Sequence, residues 1–166
     1  MTAPAPSSLV IMGVAGCGKS TLAAAVARQL ARPWIEGDAF HSEASRRKMA
    51  AGQPLTDEDR RDWLAQLAEQ LQRVPALVLT CSALKHRYRE QLREASPGLR
   101  IAFLDIERDA ARQRVAGRGG HFFAAALIDS QFDTLESPVG EPGVLRLDAL
   151  RPLAELTADV AAWMAA

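Results

Sequence analysis

A lysine, a serine and a threonine end the glycine-rich segment GVAGCGKST, which lies close to the start of the chain. Gly13, Gly18, Lys19 and Ser20 fit the spacing G-x-x-x-x-G-K-[ST], the pattern of a loop whose backbone N–H groups wrap a polyphosphate. Glycines keep side chains out of the loop, the lysine brings positive charge to the outer phosphates, and the hydroxyl is a ligand for Mg²⁺. A tight turn with coincidental residues is the alternative. The residues predicted to bind a nucleoside triphosphate are Gly13, Val14, Ala15, Gly16, Cys17, Gly18, Lys19, Ser20 and Thr21.

An aspartate and a histidine follow the second apolar segment, in the sequence WIEGDAFH. Asp38 lies just beyond this predicted strand, across from the glycine loop. A carboxylate there can accept the proton of an attacking hydroxyl, or orient that hydroxyl and help to hold hydrated Mg²⁺. A solvated turn residue is the alternative. His41 can bond substrate hydroxyls or cap the next helix, and no further ligands cluster nearby to form a metal site with it.

The segment RQRVAGRGGHFF combines arginines with glycines and predicts a lid that spans about residues 112–130. Arg114 and Arg118 are the arginines expected to contact the transferring phosphate when the lid closes. Closure would exclude water, which is a competing acceptor. His121 can touch the substrate or cap the next helix. For the whole segment, a solvated basic helix followed by a glycine turn is the alternative.

Short apolar runs alternate along the chain with amphipathic segments of helical period. The runs LVIM, PWIEGD, ALVLT, RIAFL and GVLRL predict strands, and the segments that follow them predict helices. This alternation favours a parallel sheet covered on both faces, in which ligands bind beyond the carboxyl ends of the strands. The unusual polar residues follow the first three of these runs, where such a site is expected. The segment DALRP, after the last run, is predicted to form the edge of an adenine pocket, mostly through backbone contacts.

The composition is that of one globular domain. The chain has 166 residues, 48% of them hydrophobic, and its 20 basic and 20 acidic residues leave no basic excess that would favour a nucleic-acid partner. We expect residues 1–8 to form a disordered leader and residues 9–166 a single domain, with no membrane span and a cytoplasmic location. Cys17 and Cys81 indicate neither a disulfide nor a zinc site. Cys17 is expected to be inert, although a helix N-terminus could lower the pKa of its thiol.

Several segments resemble the bacterial-type gluconokinases in order and near-spacing: GVAGCGKST, EGDAFH, KMAAGQPLTDEDRRDWL, CSALKHRYR, GRGGHFF and QFDTLESP. The resemblance spans about residues 10–153. It implies an α/β fold of the P-loop kinase type, a three-layer sandwich with a five-stranded parallel sheet and a short helical lid, related to the shikimate kinases. It also implies that ATP, with Mg²⁺, phosphorylates D-gluconate, and that the protein is a homodimer.

A sugar acid offers a carboxylate and several hydroxyls, which require Arg or Lys and neutral hydrogen-bonding groups. Lys85 and Arg89, four residues apart, are expected to share a helix face near the end of the third strand. A solvated surface charge is the alternative for each basic residue. With the resemblance, the residues expected to bind gluconate are Asp38, His41, Lys48, Arg60, Ser82, Lys85, Arg89, His121 and Gln131. The expected catalytic residues are Lys19, Asp38, Arg114 and Arg118, and the expected Mg²⁺ contacts are Ser20 directly and Asp38 through water.

The chain departs from the family pattern at a few positions. Ser45 stands where Asn is expected, and Gly119 stands where Lys is common. The third strand, VLTCSA, ends without the acidic residue that P-loop ATPases place there for Mg²⁺. Two other functions stay open. One is a kinase for another small hydroxy acid such as shikimate, although shikimate kinases usually carry three glycines after this strand. The other is a sensing module without turnover, which the intact loop and Asp38 argue against.

Overall fold

The computed structural model describes residues 6–116 and 122–166. In these ranges the chain alternates between strands and helices in the order that the sequence predicts. The strands are β1 (Leu9–Met12), β2 (Trp34–Glu36), β3 (Val78–Thr80), β4 (Arg100–Asp105) and β5 (Val144–Asp148). The helices are α1 (Lys19–Leu30), α2 (Glu43–Ala50), α3 (Asp57–Arg73), α4 (His86–Ala95), α5 (Arg108–Ala116), α6 (Phe122–Thr134) and α7 (Leu153–Ala165), and a 3₁₀ turn (Gly37–Phe40) follows β2.

The strands form one sheet in the order β2-β3-β1-β4-β5. Every neighbouring pair runs parallel, which confirms the predicted five-stranded parallel sheet. From β1 the chain passes to the edge strand β2, returns to β3 between β2 and β1, and then crosses to β4 and β5 on the other side of β1. Because ligands bind where the strand order reverses in such sheets, the loop after β1 and the turn after β2 lie on the edge that holds the site.

The sheet is the middle of three layers, as predicted. Leu9 and Ile11 of β1 face a core that includes residues of α1 and α7, whereas Val10 and Met12 face a second core with residues of α3 and α4. All four side chains are fully buried. Because both faces of β1 are buried, no position of the strand requires a polar side chain, and this explains the continuous apolar run LVIM.

Helix α3 starts at a reciprocal cap that the sequence TDED predicts. The N–H of Asp59 donates to the hydroxyl of Thr56 at 3.1 Å, and the N–H of Thr56 donates to the Asp59 carboxylate at 2.9 Å. Such a box satisfies two backbone donors that have no partner inside the helix. It fixes the start of the helix that carries Arg60 and Trp63 into the site.

The end of β2 lies unusually close to β3. A Cβ atom built on Gly37 would stand 2.0 Å from the carbonyl oxygen of Thr80. The Gly37 N–H donates to the Thr80 hydroxyl at 3.0 Å, and the indole N–H of Trp63 donates to the Gly37 carbonyl at 2.8 Å. Position 37 therefore has to be glycine if Glu36 and Asp38, on either side of it, are to keep their places.

The ordered domain begins earlier than the predicted boundary at residue 9. The carbonyl of Ser8 accepts a hydrogen bond from the Arg100 N–H at 3.1 Å, and the carbonyl of Ser7 accepts one from Arg32 at 2.7 Å. These contacts join Ser7 and Ser8 to the start of the sheet, so neither belongs to a disordered leader. Among the helices in the described part of the chain, none is long and apolar enough to cross a membrane.

We expect the substitution Gly37→Ala to lower the free energy of unfolding by about 3 kcal/mol, because the added methyl group meets a backbone carbonyl that cannot turn away. Gly140→Ala is the matched control. Gly140 has φ +92° but open space around it. Alanine there should lower the free energy of unfolding by about 1 kcal/mol, because only the left-handed backbone conformation opposes it. Urea unfolding of both variants measures the difference. Equal losses would show that the approach of β2 to β3 is not the constraint.

Candidate active site

Three adjoining cavities lie along the carboxyl edge of the sheet. We name them after what lines them: the α7 cavity lies beside helix α7, the loop cavity beside the glycine loop, and the Asp38 cavity beyond Asp38. Their volumes are about 300, 240 and 170 Å³, respectively. Gly18 and Thr21 line both the α7 cavity and the loop cavity. Ala15, Lys19 and Asp38 line both the loop cavity and the Asp38 cavity. The three spaces therefore form one path, and the glycine loop lies along its middle part.

The α7 cavity lies where the segment DALRP follows β5, the position predicted for an adenine pocket. Its walls are largely apolar, and its two charged side chains are Arg114 and Arg151. A pocket with apolar walls and few polar groups suits a flat heteroaromatic ring. The residues that line it are Cys17, Gly18, Thr21, Leu22, Leu104, Arg114, Ala149, Arg151, Leu153 and Leu156.

The glycine loop connects β1 to α1, so the first turn of that helix points its N–H groups into the loop cavity. The Lys19 ammonium group donates to the carbonyls of Gly13 and Val14, at 3.0 and 3.1 Å. It is therefore folded back onto its own loop. Gly16 needs to be glycine for a steric reason as well, since a Cβ there would stand 3.0 Å from Val115 and 3.1 Å from the Ala111 carbonyl of α5.

Both cysteine side chains are buried, with 1% of each residue exposed. Burial raises the pKa of the Cys17 thiol, even though Lys19 and Arg114 lie nearby, and it raises the pKa of Cys81 to about 12. A protonated, inaccessible thiol is neither a nucleophile nor a metal ligand. This supports the expectation that Cys17 is an inert residue of the loop.

Glu36, at the last position of β2, lies beside the loop serine. Its carboxylate accepts hydrogen bonds from the Ser20 hydroxyl and, at 2.6 Å, from the Thr80 hydroxyl. Sequence reasoning missed this residue. The missing carboxylate at the end of β3 was the signal that could have found it, because an acidic residue ends the neighbouring strand instead. Ser20 and Glu36 together offer the hard oxygen atoms that Mg²⁺ prefers.

Metal-ligating side chains form no larger cluster in residues 6–116 and 122–166: no group of three or more His, Cys, Asp or Glu there could hold a metal ion. A magnesium ion bound to nucleotide phosphates needs no such cluster, since it keeps several waters and takes one or two protein oxygens besides the phosphates. The donor set of Ser20, Glu36 and Asp38 around the loop cavity fits that requirement.

Asp38 opens into two of the cavities, and its side chain is 63% exposed. His41 Nε2 lies 3.6 Å from the Asp38 carboxylate. The interaction with His41 and the positive charge of Lys19 lower the pKa of Asp38 below its usual value, although partial burial opposes this. The His41 ring stacks on Trp63 with ring centres 4.3 Å apart. Asp38 is therefore ionised at neutral pH and is held near one cationic side chain.

The Asp38 cavity brings together five of the residues predicted to bind substrate. Arg60 is the most buried of the charged ones, with 8% exposed, and its guanidinium donates to the Tyr88 hydroxyl at 3.4 Å. The side-chain oxygen of Gln131 accepts a hydrogen bond from the backbone N–H of Ala15 at 2.6 Å. The predicted residues that line this cavity are Asp38, His41, Arg60, Ser82 and Gln131, together with Lys19 of the loop.

Lys48 and Lys85 do not line the Asp38 cavity. The Lys48 ammonium group pairs with Asp59 at 2.7 Å, and that of Lys85 pairs with Asp57 at 2.9 Å. Lys85 is the N-cap residue of α4, whereas Arg89 lies one turn later inside the helix. Each of the two ammonium groups therefore has a carboxylate of the chain itself as its partner.

Arg89, which the sequence analysis predicts to bind gluconate, is fully buried, bonded within the fold, and lines none of the three cavities. Its guanidinium binds both oxygens of Glu141, at 2.9 and 2.6 Å. It also donates to the carbonyls of Ala83, at 2.7 Å, and Glu136, at 2.9 Å. Ala83 has a positive φ of 44°, so Arg89 holds an unfavourable turn directly after Ser82, which lines the Asp38 cavity. Its contribution to the site is to position that turn.

Of the predicted lid residues, Arg118 and His121 lie outside the residues that the structure describes. Arg114, on α5, donates to the carbonyl of Cys17 at 3.2 Å and to that of Ala149 at 2.9 Å. It lines the α7 cavity rather than the Asp38 cavity. The structure thus brings Arg114 to the glycine loop, on the side away from Asp38.

Comparison with known proteins gives one broad match and several specific ones. A family model described as "AAA ATPase domain" matches residues 1–165. The gluconokinase of Gluconobacter oxydans (strain 621H) is 44% identical over 146 residues, which cover 86% of this chain and 82% of that protein. A gluconokinase crystal structure from Sinorhizobium meliloti 1021 has a TM-score of 0.90 at 43% identity and covers 98% of this chain and 94% of its own. A shikimate kinase structure from Bacteroides thetaiotaomicron, at 16% identity and a TM-score of 0.66 over 98% of this chain and 100% of its own, shares the fold.

The ion pair of Glu141 with Arg89 should make the domain sensitive to acid. Burial alone would raise the pKa of Glu141, but hydrogen bonds from Arg89, Arg93 and His86 outweigh it and lower the pKa to about 2. A carboxylate whose pKa is lowered by folding contributes stability above its unfolded pKa, and that stability is lost as the pH falls towards the folded value. We expect Glu141→Gln to cost about 3 kcal/mol at pH 7 and progressively less between pH 5 and pH 2.

Urea unfolding of the wild-type protein and the variant over this pH range measures that difference. Other carboxylates with lowered pKa values are present in both proteins and cancel. Glu69→Gln is the control, because Glu69 and Arg73 form an exposed pair whose loss should change stability by less than about 0.5 kcal/mol at every pH. A gap between wild type and Glu141→Gln that stays constant down to pH 3 would contradict the role of the buried pair.

Proposed function

The chain belongs to the gluconokinase family, within the wider group of P-loop proteins that the AAA ATPase domain model describes, and we propose that it transfers the terminal phosphoryl group of ATP to D-gluconate. The product is 6-phospho-D-gluconate, and the reaction belongs to carbohydrate catabolism. The observation that carries this proposal is the path of three cavities: Ala15, Lys19 and Asp38 line the space where the loop cavity meets the Asp38 cavity.

ATP binds with its adenine in the α7 cavity and its phosphates along the loop cavity. The apolar walls next to Ala149 and Leu153 suit the base, and the backbone N–H groups of the loop suit the phosphates. Lys19 exchanges its two carbonyl partners for phosphate oxygens, which are stronger acceptors because they carry charge.

The Ser20 hydroxyl and the Glu36 carboxylate would hold Mg²⁺, and Asp38 would contribute through water. The ion, when bound, neutralises part of the phosphate charge and so supports attack on the terminal phosphorus. Glu36 replaces the carboxylate that P-loop ATPases carry at the end of a strand corresponding to β3, where this chain has Thr80. The Thr80 hydroxyl instead donates to Glu36 and fixes the direction of its carboxylate.

Gluconate binds in the Asp38 cavity. At about 170 Å³ this cavity is small compared with the pockets of roughly 300–1,000 Å³ that hold larger ligands, which favours a short polar chain. Arg60 supplies the buried positive charge for the carboxylate. His41, Ser82 and Gln131 supply hydrogen bonds for the hydroxyls.

Asp38 accepts the hydrogen bond of the attacking hydroxyl and aligns its oxygen with the terminal phosphorus. Phosphoryl transfer passes through a loose transition state, so a carboxylate with a low pKa suffices as the proton acceptor. The O–H bond of gluconate breaks as its oxygen bonds to phosphorus. The bond from phosphorus to the ADP oxygen breaks, and its electron pair leaves with ADP. Lys19 stabilises the charge that develops on the transferring group.

The lid at about residues 112–130, with Arg114, Arg118 and His121, excludes water and adds positive charge at the moment of transfer. Within the described part, Arg114 contacts the Gly16 and Cys17 carbonyls at the α7-cavity end of the loop, so closure would have to bring it towards Asp38. The homodimer, the cytoplasmic location and the lack of nucleic-acid or membrane partners belong to the same proposal. Their support is the family and the formal net charge of zero.

A kinase for another small hydroxy acid and a sensing module without turnover are the alternatives. A coupled assay of ADP release, run over sugar acids, shikimate and nucleoside monophosphates, separates them. We expect release to depend on gluconate and to fall about a thousandfold in Lys19→Ala, because the transition state loses its nearest positive charge. Arg47→Ala is the control, since Arg47 makes an exposed pair with Glu43 away from the cavities. ATP binding without gluconate-dependent release would favour the sensor, and near-normal turnover in Lys19→Ala would contradict the mechanism.

The assignment of Glu36 gives a second prediction. Glu36→Gln removes the charge and keeps one acceptor oxygen, which serves one of the two hydroxyls that donate to separate oxygens of the Glu36 carboxylate. We expect the Mg²⁺ concentration that gives half-maximal rate to rise about tenfold, with a smaller change in the KM for gluconate. Titration of the rate with Mg²⁺ at saturating ATP and gluconate measures this. Glu43→Gln serves as the control on the surface, and an unchanged Mg²⁺ requirement in Glu36→Gln would exclude Glu36 as the metal carboxylate.

A further inference from the structure

Gln131 on α6 contacts the phosphate-binding loop from another part of the chain. Its side-chain oxygen Oε1 accepts a hydrogen bond from the backbone N–H of Ala15 at 2.6 Å, although the two residues are 116 positions apart. Ala15 is one of the residues at which the loop cavity meets the Asp38 cavity. Gln131 therefore occupies the loop N–H group that lies nearest to the acceptor side.

The order of the cavities indicates which phosphate reaches this N–H group. Gly18 and Thr21 lie at the junction with the α7 cavity, and Ala15 lies at the junction with the Asp38 cavity. With the base in the α7 cavity, as the proposed function has it and as this inference assumes, the phosphate chain runs from Gly18 towards Ala15. The terminal phosphate of ATP then reaches the Ala15 N–H, whereas ADP is one phosphate shorter and leaves it free.

A backbone N–H group has a single hydrogen to donate, so the Gln131 oxygen and a terminal phosphate oxygen compete for it. The phosphate oxygen is charged and accepts the stronger hydrogen bond. Binding of ATP therefore includes the loss of the bond between Ala15 and Gln131, and binding of ADP does not. Loss of this hydrogen bond lowers the affinity for ATP relative to ADP, by a factor that corresponds to the net free energy of one hydrogen bond.

The C-terminal end of α6, which lies beyond the proposed lid, is held in place while this exchange occurs. Asp133 pairs with Arg108 of α5 at 2.9 Å. After the helix, the Glu136 N–H donates to the Leu84 carbonyl at 2.8 Å. Because the helix is fixed directly after Gln131, the side chain of Gln131 can change partners while the end of the helix stays in place, and the Asp38 cavity that it lines gives it space to turn.

We propose that Gln131 is a specificity-determining residue that occupies the terminal-phosphate position of the empty loop and is displaced by ATP but not by ADP. Once displaced, its amide faces the cavity that receives the acceptor. After transfer the terminal phosphate has left the loop, and Gln131 returns to Ala15. The Gln131 amide is thus available to the acceptor cavity only while a transferable phosphate occupies the loop.

Calorimetric titration without gluconate tests this, with Mg²⁺·ADP and the non-hydrolysable ATP analogue AMP-PNP as the probes. Gln131→Met keeps the length of the side chain and removes the competing oxygen. We expect the affinity for AMP-PNP relative to ADP to rise about threefold to tenfold in this variant, the worth of one net hydrogen bond. Gln70→Met is the matched control, because Gln70 lies on α3 and lines none of the three cavities. Its ratio should equal that of the wild type.

An unchanged ratio in Gln131→Met, or one that falls, would overturn the proposal and leave Gln131 as a fixed support of the loop or a direct ligand of the phosphate. NMR of the wild-type protein gives a second measurement that needs no substitution. The side-chain amide signals of Gln131 should shift on addition of AMP-PNP and stay in place with ADP, and equal responses would also overturn it. Neither experiment uses gluconate, so a failure of the proposed acceptor in the ADP-release assay is distinguishable from a failure here.

Discussion

The contact between the end of β2 and β3 is the constraint on which the rest of the site depends. No side chain fits between Gly37 and the Thr80 carbonyl, and the Thr80 hydroxyl accepts the Gly37 N–H while donating to Glu36. Two carboxylates separated by one glycine therefore leave the strand in different directions. Glu36 meets the loop serine, and Asp38 opens towards the acceptor. The position of a single residue without a side chain therefore sets the directions of both carboxylates, Glu36 towards the glycine loop and Asp38 into the Asp38 cavity.

The sequence predicted the features that depend on neighbours along the chain. The glycine loop, the apolar run of β1 and the cap of α3 are each contained in a short segment, so their physics is local. The parallel sheet followed from the alternation of strands and helices. The position of the α7 cavity could be predicted because the end of β5 has a fixed relation to β1 in such a sheet.

The sequence could not predict the partners of charged residues when those partners are distant along the chain. Arg89 has the residue type and the position of a substrate ligand, but its partner Glu141 lies 52 residues further on, and nothing in the local sequence indicates that the two meet. Lys85 was assigned to a helix that begins one residue later, and its ammonium group pairs with Asp57 of α3. Glu36 was missed because its role comes from Ser20 and Thr80, which lie on other elements. A basic or acidic residue identifies a candidate, and only the fold identifies its partner.

The burial of the two thiols affects how readily the protein can be oxidised or alkylated. Cys17 stands in the middle of the phosphate-binding loop, and Cys81 follows β3, yet neither is a thiolate at neutral pH nor open to solvent. Oxidation by peroxide and alkylation by electrophiles both begin with an accessible thiolate. The sulfur atom of Cys17 therefore packs inside the loop and is protected from oxidation. Phosphate binding should persist under conditions that inactivate enzymes with exposed cysteines.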